Sequence, residues 1–146
     1  MQNLYVFMEA GFISGVNRSF VNPASIDMPL SDEAYRLETI ALPRTQEPIR
    51  KLMKCLGATR HDMKNPLEKG VPYLIRAEGS WSLPSHIYGY ANPKSSSGRV
   101  NLFCRGVADG VEMYDKIGYG DAGGKKEWKG EVWVLVRADS FPILLH

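Results

Sequence analysis

The chain has few side chains able to do covalent or metal chemistry. They are three histidines, two cysteines and a scatter of carboxylates. His61-Asp62 sets two metal-ligand types side by side, but His86 and His146 stand at spacings that do not complete a coordination set, so no metal site is expected. Cys55 falls late in an amphipathic stretch, away from any helix N-terminus that would lower its pKa, and Cys104 falls on the apolar side of an alternating run. Both read as inert thiols rather than nucleophiles. Lys94-Ser95-Ser96-Ser97-Gly98-Arg99 carries hydroxyl and backbone donors for an anion but lacks the glycine spacing of a phosphate-binding loop, and a solvated hairpin loop is the simpler reading. The pairs Glu112/Asp115 and Asp32/Glu33 are more simply surface and capping charges than an acid–base pair.

The densest candidate is aromatic. Trp81, His86, Tyr88 and Tyr90 fall within ten residues. A strand period of two places His86, Tyr88 and Tyr90 on one face and Ile87, Gly89 and Ala91 on the other. Aromatic bodies with polar tips suit a planar or sugar-like ligand, or the centre of a protein interface. β-Strands favour tyrosine in any case, so an ordinary half-buried sheet face competes with both. A second candidate surface is basic. Residues 44–64 carry six basic and two acidic side chains, with Arg50, Lys51 and Lys54 on one side of an amphipathic segment. That pattern is more often a solvated helix face than a nucleic-acid contact.

The elements that must position these residues follow from periodicity. Arg99–Ala138 reads as a β-meander. Val100, Leu102 and Cys104 alternate with Asn101, Phe103 and Arg105, Asp109-Gly110 supplies a turn, and Val111–Ile117 returns, with Asp115 misplaced on its apolar face. In the third arm Val132, Val134, Val136 and Ala138 share one face, while Trp133 and Leu135 make the other too apolar for water, so a helix or partner must cover it. Leu4–Met8, Tyr73–Glu78 and His86–Ala91 read as further strands, with Gly79–Pro84 and Asn92–Gly98 as loops. Two helices are expected. One spans Glu33–Ala41, capped by Ser31 or Asp32. The other lies over residues 46–56, capped by Thr45, with Ile49, Leu52, Met53 and Leu56 at i, i+3, i+4, i+7 and Gly57 closing it. The expected fold is a single α+β domain over 1–146: a mostly antiparallel, strongly bent or partly closed sheet with two helices packed on it.

Composition bounds the rest. At 146 residues, 23% charged and net +2, the chain is an ordinary globular domain with no obligate polyanion partner. No apolar run reaches membrane-spanning length and no leader is apparent, so with two unpaired cysteines the expected compartment is the cytoplasm. With no catalytic motif in view, the first functional expectation is a non-catalytic binding module that occupies a macromolecular partner. The alternative is a small-molecule-binding protein or enzyme built around Trp81, His86, Tyr88 and Tyr90. Weak nucleic-acid binding through residues 44–64 ranks third. No cofactor or membrane partner is expected. The apolar tail Phe141–Leu145 is expected to pack on this chain or on a second copy.

Overall fold

The computed structural model describes residues 4–12, 24–79, 81–84, 87–95, 102–120 and 127–145. Among them are ten strands and one single-turn helix: β1 (Leu4–Phe12), β2 (Ala24–Arg36), α1 (Ile49–Met53), β3 (Thr59–His61), β4 (Pro72–Ala77), β5 (Trp81–Leu83), β6 (Ile87–Ser95), β7 (Leu102–Ala108), β8 (Lys116–Ile117), β9 (Trp128–Gly130) and β10 (Val132–Ala138). The eight-stranded sheet runs β7-β10-β4-β2-β1-β6-β8, with β3 added to β2; β5 and β9 form a separate pair. Every named pairing is antiparallel.

The fold is therefore essentially all-β, and the expectation of two helices on a sheet is corrected. Residues 33–36 extend a thirteen-residue strand rather than opening a helix. Strands β3 and β4 flank this end of β2 on either side and satisfy its backbone, which a local helix signal cannot outbid. Ala34 faces the inner core, while Glu33 and Tyr35 lie on the opposite face, Tyr35 packed beside Trp133, the alternation of a strand. Ser31, expected to cap a helix, sits beside a register shift between Leu30 and Ala34. Its hydroxyl accepts the Glu33 N–H and donates to the Arg76 carbonyl.

The second expected helix shrinks to five residues, yet its apolar stripe is as read. Ile49, Leu52, Met53 and Leu56 are all buried. Pro48 occupies the N-cap with no side-chain cap of its own. The cap comes from across the molecule: Asp109 Oδ1 accepts the Ile49 N–H at 2.8 Å. Thr45 instead gives its backbone N–H to Glu112 Oε1. Gly57, at φ +65°, turns the chain out of the segment.

Strand β10 is the centre of the core. Val132, Val134, Val136 and Ala138 meet Tyr73, Ile75 and Ala77 of β4 inside the sheet. Trp133 and Leu135 point the other way and are covered by α1, with Leu74 and Val107 beside them. The apolar second face of that strand thus has the cover its composition demanded.

The curled sheet brings its two ends together, so that β7 lies against β6 and β8. The expected return arm Val111–Ile117 contributes only its last two residues as β8, which pairs with β6. Asp115 is the reason. At φ +64°, its N–H donates to the Gly106 carbonyl at 2.7 Å, and its carbonyl accepts the Ala91 N–H at 2.7 Å. Its carboxylate accepts from Gly106 N and from Arg105 Nε, both at 2.7 Å. One aspartate joins β6 to β7 and closes the seam. Further along, Gly79–Pro84 is not simply a loop, since it holds β5, and β6 runs on through Ser95 into the expected loop at 92–98. In the tail, Ile143 bridges to Leu67 and is buried with Leu145, whereas Phe141 and Leu144 stay on the surface.

Candidate functional site

Strand β6 carries the aromatic face. Gly89 and Ala91 are buried against the sheet's interior, Tyr88 is half-buried, and Tyr90 is 50% exposed. The alternation read from sequence therefore puts the two tyrosines on the open side. Their rings meet edge to face with centroids 5.2 Å apart. A side-chain hydrogen bond with Tyr90 pushes the Tyr88 hydroxyl above its ordinary pKa.

The cross-strand partner of Tyr90 is Lys116, the first residue of β8. Its ammonium lies 5.7 Å from the Tyr88 ring centroid, within reach of a cation–π interaction. The turn after β8 closes over the same tyrosine. Gly120, at φ +59°, lies so near that an added Cβ would fall 2.7 Å from Tyr88 Cδ1. The result is a face of two phenols and one ammonium, held by a glycine turn on one side and by the sheet on the other.

The four aromatic residues singled out by sequence are not all brought together. Trp81 lies on β5, half-buried against the inner core, with its indole N–H unpartnered. Among the described residues it makes no ring contact with the tyrosine pair. His86 lies outside the described residues. Lys116 was not singled out from sequence, because nothing local to it signals that β8 pairs with β6.

The candidate basic surface is also altered. Arg50, Lys51 and Lys54 are exposed as expected, but Arg50 is not a free cation. Its guanidinium reaches Glu33 at 2.6 and 2.9 Å and Glu131 at 2.8 and 3.1 Å, and it lies over the Trp133 ring. Arg76 and the Tyr35 hydroxyl also donate to Glu33. The Arg50 hydrogen bonds, opposed in part by burial, hold the Glu33 carboxyl down to about 2. This network ties the α1 segment to the sheet. Asp109 is pushed the other way, above the usual carboxylate range, by burial. Both of its oxygens are taken by backbone N–H groups, of Ile49 and Glu131. Burial alone pushes the Cys104 thiol up to about 12, which leaves it inert at neutral pH, and both cysteines are free. No cluster of three or more metal-ligating side chains exists among the described residues.

A closed antiparallel β-sheet domain with an aromatic–ammonium face is the class that fold and site define. The chain belongs to the 2'-deoxycytidine 5'-triphosphate deaminase N-terminal domain family, whose model matches residues 2–146. The crystal structure of 2'-deoxycytidine 5'-triphosphate deaminase from Agrobacterium tumefaciens is similar to it, with a TM-score of 0.70 and 27% sequence identity. The likeness covers 94% of this chain and 39% of that one. No curated protein matches the chain. These findings overturn the expectation of a non-catalytic binding module: the family is that of a nucleotide-metabolising enzyme. Among the described residues, no helix is long and apolar enough to cross a membrane.

Proposed function

We propose that the chain is a nucleotide-handling domain of a 2'-deoxycytidine 5'-triphosphate (dCTP) deaminase. In that reaction water adds to the cytosine ring and the exocyclic amine leaves as ammonia. The observation that carries the reading is the family match over residues 2–146. The tyrosine face supports it physically. A pyrimidine can stack on a phenol ring, at roughly 1–3 kcal/mol per base, and Lys116 offers a compact cation to a phosphate. Tyr88 and Tyr90, with Lys116 added, are the residues assigned to ligand binding; Trp81, packed on the inner core, drops out of the face, and His86 keeps its assignment from sequence alone. The carboxylates Glu33, Asp109, Asp115 and Glu131 are engaged by guanidinium or backbone N–H groups. The tyrosine face is assigned the holding of the nucleotide. A cytoplasmic setting, where nucleotides and reduced thiols coexist, suits the two free cysteines.

The test is equilibrium binding of dCTP to the purified chain, with ammonia release followed in parallel. Saturable dCTP binding is expected, weakened about tenfold, or 1.4 kcal/mol, by Tyr88→Ala in protein whose folding is verified separately. Binding without ammonia release would remove the deaminase assignment and keep the holding role. Neither binding nor release would sink the proposal. Undiminished binding by Tyr88→Ala and His86→Ala would place the site elsewhere.

A further inference from the structure

We propose that residues 46–57 form a strap that opens and closes on the outer face of the sheet as one unit within the folded protein, with Gln46 and Gly57 as its hinges and Arg50 as its lock. Both ends carry left-handed backbone, Gln46 at φ +65° and Gly57 at φ +65°. Glycine takes that conformation freely. A glutamine takes it under strain, and keeps it only where the surroundings over-determine it. At Gln46 those surroundings are the turn after β7. The Gln46 N–H donates to the Gly110 carbonyl at 3.2 Å, and the Gly110 N–H donates to the Glu47 carbonyl at 2.8 Å. The Thr45 N–H beside them reaches Glu112. At the far end the Leu56 carbonyl accepts the Glu38 N–H at 2.9 Å.

Between the hinges, little of the strap holds itself. Its one helix, α1, is five residues long and is capped from outside by Asp109. Two kinds of contact keep it closed. Ile49, Leu52, Met53 and Leu56 cover Trp133 and Leu135, and that burial makes the open state a minor one. Arg50 reaches Glu33 on β2 and Glu131 just before β10, with its guanidinium over the Trp133 ring, so one side chain ties the strap to the sheet at two places. Two buried polar groups pull the other way. The indole N–H of Trp133, whose ring the strap covers, is buried and has no hydrogen-bond partner among the described residues. Burial also holds the Asp109 carboxyl above the usual range. Both groups gain water when the strap lifts, and the strain at Gln46 is released with them. The sheet does not need the strap to stay paired, because β10 is bonded to β4 on one side and to β7 on the other. Opening is therefore a local event, distinct from unfolding.

The test is native-state hydrogen exchange of the folded chain across low urea concentrations. The probes are the amides of Ile49, Leu52 and Gly110, which donate within or across the strap, and the indole N–H of Trp133. All four are expected to exchange with one common opening free energy. It should be smaller, and less dependent on urea, than that of the Val134 and Val136 amides in β10, because opening exposes less surface than unfolding. Arg50→Gln should speed the four together by about tenfold, equivalent to 1.4 kcal/mol. Arg76 still faces Glu33 and Glu131 in that variant, so the fold is expected to hold. Gln46→Gly should slow the four at least twofold, since glycine meets the closed geometry without strain. Exchange of the four at the free energy and urea dependence of β10 would mean that the strap leaves only in global unfolding, and would overturn the proposal. So would four different opening free energies, which describe fraying of a short helix. No response to Arg50→Gln would remove the lock, and no slowing by Gln46→Gly would remove the hinge; either result also overturns the strap.

Discussion

Glu33 shows how far a single side chain's role is set by neighbours distant in sequence. It accepts from Arg50, Arg76 and Tyr35, and its carboxyl is held at about 2, against roughly 4.3 in an unfolded chain. A depressed folded-state pKa means stability present above the unfolded value and lost as pH falls through the folded one. Stability is thus expected to decline between about pH 4.3 and pH 2, a window set by that shift. Glu33→Gln should lower stability at pH 7 and flatten the decline, as read by urea midpoints across the acid range. An unchanged acid limb would show that other carboxylates carry it. Ser31, Asp109 and Asp115 teach the same lesson. Each is a polar residue whose type is ordinary in sequence and whose bonds run to backbone on another element or across a bend.

At the scale of elements, α1 is stabilised by what it covers. A five-residue helix has almost no intrinsic stability. It persists because Ile49, Leu52, Met53 and Leu56 bury Trp133 and Leu135, and because Asp109 caps it from outside. Leu52→Ala is expected to cost on the order of 2–5 kcal/mol, measured as a shift in denaturation midpoint. A shift near zero would place the stripe on the wrong face. The spacing of these apolar residues was legible in the sequence, whereas the length of the helix was not. β2 is the opposite case. Ala34 and Leu37 fit a helical period over a short window, but two neighbouring strands claim the backbone there. Local propensity loses when hydrogen bonding and burial on both sides favour the extended form.

At the scale of the molecule, the seam is the point of greatest leverage. A Cβ on Gly106 would fall 2.5 Å from Ala91 Cβ, where neither β6 nor β7 can retreat without breaking the bonds to Asp115. Gly106→Ala is expected to destabilise by roughly 1–3 kcal/mol through overpacking. The check is thermal unfolding together with exchange of the Ala91 and Asp115 amides, which should lose protection before those of β10. Full protection at the seam would show that it has room to give. The sequence by itself determined the features whose partners lie within a few residues. These are the alternation of β10 and the need for its second face to be covered, the stripe at 49–56, and the shared face of Tyr88 and Tyr90. Only the tertiary structure decided that Glu33–Arg36 is strand, that Asp115 joins β6 to β7, that Asp109 caps a helix sixty residues away, and that Lys116 comes to rest beside Tyr88. The reason is physical. A period of two or 3.6 is written into neighbouring side chains, but which strand lies beside which is settled by closure of the whole sheet, where burial and backbone pairing are satisfied together.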